Sequence, residues 1–149
     1  MIKLSKLTDY ATVILSHMAR EDGRVHGAIE VAAATGIALP TVSKILKQLS
    51  KAGVLSSQRG PKGGYALRRS PHRISVASVI SALEGPIALT ECSASLKSCE
   101  QAAGCRIQGN WNLLNQRVAL ALESVTLADL IAPCQPPQEV VIPVSRLFR

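Results

Sequence analysis

Three cysteines, Cys92, Cys99 and Cys105, stand close together in the second half of this 149-residue chain, with six and five residues between them. A fourth, Cys134, lies 29 positions further on among Pro133, Pro136 and Pro137 and reads as separate from the group. Thiolates at this spacing suit three chemistries. Structural zinc sites favour cysteine pairs with two to four intervening residues, and these gaps are wider. An iron-sulfur cluster is larger than one ion, so a loop wrapped round it tolerates varied spacing. Unmetallated thiols acting as redox sensors need no particular spacing. On spacing alone, cluster, zinc and free thiol all stay open.

Other reactive constellations are missing from the sequence. His17, His26 and His72 have no visible pairing with a nucleophile, so nothing here predicts catalysis. No apolar run approaches the roughly 18 residues that span a membrane. The stretch from Ala11 to Ala19 is short, broken by His17, and lacks a cleavage pattern, so it does not read as a secretory signal. The expected location is the cytoplasm, where thiol pools disfavour disulfides and cysteines serve as ligands or reactive groups.

The elements that would position these thiols follow from composition and period. Apolar residues make up 47% of the chain and aromatics 3%, so the core must be Ala, Val, Ile and Leu, which suits packed helices. The formal net charge is +7, and it is unevenly placed. Residues 1–73 hold twelve Lys and Arg against four Asp and Glu, whereas residues 74–149 hold five against six. A basic amino-terminal half points to a polyanionic partner.

Tyr10, Val13, Ile14 and Met18 recur at helical spacing, with Thr8 or Asp9 placed to cap the first turn. A second helix runs from about Gly27 to Thr35 and stops at Gly36. In a third, Val42, Ile45, Leu46 and Leu49 fall at helical steps, and Pro40 sits in its first turn. Small Ala32, turn-forming Gly36 and inward-facing Val42 have the spacing of a helix-turn-helix. Val54 to Arg59 and Tyr65 to Leu67 then read as two short strands joined by Gly60-Pro61-Lys62-Gly63-Gly64, a wing. With the third helix in the major groove, Thr41, Ser43, Lys44 and Lys47 would meet bases or phosphates, and Arg59 and Lys62 would reach DNA from the wing. Lys51, Arg68, Arg69 and Arg73 read as solvated.

Ser75 begins a further amphipathic segment through Val76, Val79, Ile80 and Leu83, ending at Gly85-Pro86. From Leu89 to Gln108 no period is visible, which predicts a loop. Trp111, Leu114, Val118, Ala121 and Val125 then follow steps of three and four, the seam of a paired helix. Thr126 caps a last short helix, Leu127 to Ile131. The fold class is therefore mainly α, a winged helix-turn-helix with a small β-hairpin wing plus a long dimerisation helix. The expected division is a DNA-binding part over 1–73, a cysteine loop and dimerisation helix over 74–132, and a proline-containing tail over 133–149.

The opening Leu4-Ser5-Lys6-Leu7-Thr8-Asp9-Tyr10-Ala11, the wing from Val54 to Tyr65, the helix from Val76 to Leu83 and the three-cysteine loop together resemble the Rrf family of winged-helix transcriptional regulators. The resemblance covers about residues 1–132. It implies a cytoplasmic homodimer on a palindromic DNA operator, with one iron-sulfur cluster per subunit, 2Fe-2S or 4Fe-4S, on Cys92, Cys99 and Cys105. In some members a histidine three residues after the last cysteine is the fourth ligand, but this chain has Gln108 there. In others the partner subunit supplies an aspartate near the start of helix one, and Asp9 matches it. Leu89-Thr90-Glu91-Cys92 with Asn110-Trp111 looks most like regulators of SUF cluster-assembly genes, which implies a repressor of those genes. Sensing of nitric oxide or redox state on the same fold is an alternative, as is an interaction or cluster-carrier module that does not bind DNA.

Overall fold

A computed structural model describes residues 3–95, 99 and 105–133. Helix α1 (Lys6–Ala19) is followed by α2 (Ala28–Thr35) and α3 (Leu39–Lys51), then strands β1 (Leu55–Gln58) and β2 (Gly64–Leu67). A 3-10 turn at Pro71–Arg73 leads to α4 (Val76–Glu84), α5 (Glu91–Ala94), α6 (Gln108–Ser124) and α7 (Leu127–Ile131).

The start of α1 differs from the sequence expectation. Its cap is Ser5, whose hydroxyl accepts the Thr8 amide at 3.2 Å. Thr8 lies inside the first turn, fully buried, while Asp9 is exposed beside it. The buried stripe of α1 is Ala11, Ile14, Leu15 and Met18; Val13, expected on that stripe, faces outward at 45% exposure. The turn after α2 agrees with the sequence: Gly36 adopts φ 69°, a left-handed conformation that glycine enters without a Cβ penalty. Pro40 lies in the first turn of α3, where no intrahelical N–H is needed.

Val42, Ile45, Leu46 and Leu49 on α3 are all fully buried. They pack in one core with α1, Val31 of α2, Val54 and Leu55 before the wing, Ile74, Val79 of α4 and Leu127 of α7. The core therefore runs across residue 73, and α4 and α7 are built into the same body as the helix-turn-helix. Backbone bonds close that union: the Val76 amide donates to the Val125 carbonyl at 2.8 Å and the Leu127 amide to the Ile74 carbonyl at 2.7 Å.

The wing is an antiparallel pair in which Leu55 faces Leu67 and Gln58 faces Gly64. It has a third partner that no sequence pattern announces. His26, 1% exposed, exchanges backbone bonds with Tyr65 at 2.8 and 2.9 Å and anchors the base of β2 to the connection before α2. That approach leaves no room at Gly64, where a Cβ would stand 2.4 Å from the His26 carbonyl oxygen.

Two carboxy-terminal elements complete the fold. The segment expected as a plain loop contains α5, a single turn that carries Cys92 and is too short to show a period. Helix α6 is 17 residues long and buries none of them. Val125 falls one residue beyond it, as its cap. Among the described residues no single helix is long and apolar enough to cross a membrane.

Gly64→Ala is expected to destabilise the fold by about 1–3 kcal/mol, the usual magnitude of overpacking. Denaturant unfolding checks it, and an unchanged midpoint would contradict the backbone contact with His26.

Candidate nucleic-acid interface and cysteine segment

Burying one face of α3 decides what the opposite face presents. With Val42, Ile45, Leu46 and Leu49 turned inward, Lys44 and Lys47 are exposed, and Thr41 and Ser43 are half-buried at the edges. Lys51, read from sequence as merely solvated, continues the exposed Lys44–Lys47 stripe at helical spacing. The first turn of α3 carries no acidic side chain, so its positive dipole end is left for an external anion. Arg59 and Lys62 are exposed on the connection between β1 and β2.

Among the described residues no carboxylate pairs with these cations. The ion pairs among those residues join Arg24 to Glu21 and Glu30, and none involves a residue of α3 or the wing. Arg24 holds the Glu21 carboxyl below its ordinary range, first through their hydrogen bond and then through charge.

Cys92, Cys99 and Cys105 are free and half-buried. Cys92 lies on α5 with its Sγ 3.1 Å from the Thr90 hydroxyl, and Cys105 precedes α6. Among the described residues no three His, Cys, Asp or Glu side chains lie close enough to hold a metal. The structure thus does not bring the three thiols and Asp9 into one site. Asp9 is exposed on the first turn of α1, its backbone carbonyl accepting the Thr12 hydroxyl at 2.7 Å, and Gln108 opens α6. Cys134 and the tail from residue 134 lie outside the described residues. The chemistry of the donor set, three unpaired thiols on one short segment and a solvent-facing carboxylate, suits an iron-sulfur cluster.

Two features escaped sequence reasoning. His17 and His26 meet edge to face at 5.6 Å, and the buried His17 Nε2 and both His26 ring nitrogens lack a hydrogen-bond partner. Glu84, the last residue of α4, reaches the start of α1: its Oε1 accepts the Ser5 amide at 2.9 Å and the Thr8 hydroxyl. A carboxylate in a helix's last turn, against the dipole, was the available signal.

A core that turns a basic helix outward beside a basic wing defines a winged-helix DNA-binding protein. Residues 4–133 match the family described as Rrf2, iron-dependent transcriptional regulator, and the chain belongs to that family. It is a transcriptional regulator rather than an enzyme, and the carrier-module alternative falls away. Among solved structures it is similar to CymR, the global cysteine regulator of B. subtilis, at 28% identity and TM-score 0.68, covering 91% of this chain and 100% of that one. It is similar to T. potens IscR at 25% identity and TM-score 0.64, covering 91% and 94%. A transcriptional regulator from Listeria innocua matches at 26% identity and TM-score 0.69, covering 93% and 92%.

Replacing Lys44, Lys47 or Lys62 singly by Ala should weaken duplex binding across sequences and lower the slope of log affinity against log salt by about one. Arg59→Ala should in addition relax sequence preference, by about 1–3 kcal/mol at one base pair. Fluorescence anisotropy over a salt series reads both, and an unchanged slope in all four variants would remove this face from the DNA interface.

Proposed function

We propose that this chain is a homodimeric, cytoplasmic regulator that represses iron-sulfur cluster assembly genes from a palindromic operator, its grip on DNA set by a cluster held on Cys92, Cys99 and Cys105. The observation that carries this reading is the set of three free, half-buried thiols on the stretch that leads from α4 into α6. Asp9 of the partner subunit is the proposed fourth ligand; Gln108 is a poor donor for iron. An oxygen ligand holds iron less firmly than a thiolate does, which would make the bound cluster reactive toward oxygen or nitric oxide.

The chain's own residues would act in sequence. Cys92, Cys99 and Cys105 draw the segment from Leu89 to Gln108 together. That ordering is passed to α6, whose apolar side chains, Leu113 at 55% and Leu120 at 62% exposure among them, need a partner helix. Pairing of α6 with its copy fixes the separation of two α3 helices, matching half-sites about one helical turn apart. Coupling of this kind requires the DNA-competent arrangement to bind the cluster more tightly than the other does. The role division is then DNA reading over 1–73, sensing and dimerisation over 74–132, and a separate tail over 133–149.

A second reading is favoured by the separation of the thiols among the described residues: the cysteines sense redox state directly, without a cluster.

Anaerobically purified protein should carry iron and acid-labile sulfide, and each of Cys92→Ala, Cys99→Ala and Cys105→Ala should lose both and change promoter occupancy. Asp9→Ala should alter the cluster spectrum while Gln108→Ala and Cys134→Ala leave it unchanged. Colourless protein with full operator affinity would refute the cluster reading, as would cysteine variants with unchanged cofactor and occupancy.

A further inference from the structure

The last turn of a helix exposes carbonyl oxygens with partial negative charge, an unfavourable place for a carboxylate. Glu84 is nevertheless the last residue of α4. Its charge is satisfied by a helix far away in sequence: Oε1 accepts the Ser5 amide at 2.9 Å and the Thr8 hydroxyl. Ser5 is the cap of α1, and Thr8 is fully buried in its first turn, one residue before Asp9. The Thr8 hydroxyl, and next the Ser5 amide, hold the Glu84 carboxyl below the ordinary carboxylate range. Glu84 therefore serves α1 as an external cap.

The connection beyond Glu84 is held just as specifically at its other end. Gly85 turns the chain at φ 87°, a conformation an L side chain rarely adopts, and the backbone leading toward Cys92 then runs along α6. There Asn115 clamps it twice: its Nδ2 donates to the Ile87 carbonyl at 3.1 Å, and its Oδ1 accepts the Leu89 amide at 3.0 Å. Asn112 Oδ1 accepts the Ser93 hydroxyl at 3.3 Å, next to Cys92. Between the two attachments lies a cleft of about 460 Å³ bordered by Leu4, Ile80, Glu84, Leu89, Val118 and Leu122. The short connection 85–90 is thus tied to the DNA-reading body by Glu84 and to the dimer helix by Asn115, with the first cysteine at its end.

We propose that Glu84 and Asn115 are positioning residues that transmit the state of the cysteine segment to the helix-turn-helix, Glu84 through the first turn of α1 and Asn115 through α6. The proposal rests on the cluster-sensing reading above and specifies the route it takes. A shift of the cysteine segment moves the connection 85–90, which the two side chains hold at either end. Because α1 shares its core with α3, a displaced Glu84 carries the strain into the recognition helix. Side chains without these hydrogen bonds would leave both halves folded and still joined through Val76–Val125 and Leu127–Ile74, but would break the link from the cysteine segment through the connection 85–90.

The test compares duplex affinity with and without cluster, in wild type and in Glu84→Gln, Glu84→Ala and Asn115→Ala, alongside iron content and thermal midpoint. In wild type the affinity ratio between the two forms should be about tenfold, within the usual range of allosteric coupling. In Glu84→Ala and Asn115→Ala the ratio should fall to within about twofold of one while cluster-free affinity stays near that of wild type. Glu84→Gln, which keeps an acceptor oxygen but loses the charge, should fall between. Variants that lower the thermal midpoint yet keep the wild-type ratio would overturn the proposal, because their role would then be stability alone. Should Glu84→Ala fail to fold, Glu84→Gln and Asn115→Ala still decide the matter. A ratio of one in wild type would overturn the cluster-sensing reading and this proposal with it.

Discussion

Burial of one face of α3 is the constraint that fixes the direction of every other functional element. Val42, Ile45, Leu46 and Leu49 have no surface left to solvent, and each such side chain contributes about 1.5–3 kcal/mol on burial. Rotating α3 by half a turn would expose all four, so its basic face has one available direction. The same core receives Ile74, Val79 and Leu127, which makes α4 and α7 part of the platform that aims α3. Any signal that reaches α4 has therefore already reached the DNA reader.

Helix α6 lies at the opposite extreme. None of its residues is fully buried within one chain, though Val118, Ala119 and Leu122 are half-buried and its sequence repeats apolar residues at steps of three and four. An isolated helix of this length gains little from backbone propensity alone and draws its stability from packing an apolar face. The chain therefore has a buried platform that aims α3 and a long helix left largely open to solvent, joined through the connection at Gly85 and, at the far end of α6, through the Val76–Val125 bond and α7. A regulator needs that division: a rigid part to recognise sequence and a part whose arrangement depends on an added component.

The helix-turn-helix and wing were legible in the sequence because their signals are local. Gly36 marks a left-handed turn, Pro40 an early helical position, and the four apolar residues of α3 a single face. Features decided across long sequence separations were not legible. Ser5, Thr8 and Asp9 are all good capping residues within one turn, and the choice of Ser5 follows from Glu84 taking the Thr8 hydroxyl from 76 residues away. Val13 satisfied the period yet points outward, since the contacts with α2, α3 and α4 centre on Ala11, Ile14 and Leu15. The wing's tie to His26 left only a glycine as its trace, Gly64, whose missing side chain makes room for a carbonyl. For the candidate cofactor site the sequence supplied donor types without their arrangement, because bringing three thiols together depends on chain closure rather than on any periodic pattern.

Reciprocity gives the sharpest check on coupling between cluster and operator, since a cofactor that tightens DNA binding must itself be retained more firmly on DNA. The measurement is the fraction of cluster retained at equilibrium against increasing iron chelator, followed by absorbance, with and without saturating operator duplex. Coupling predicts that duplex reduces the loss, shifting retention by the same factor by which the cluster raises duplex affinity. Identical loss with and without bound duplex would contradict it.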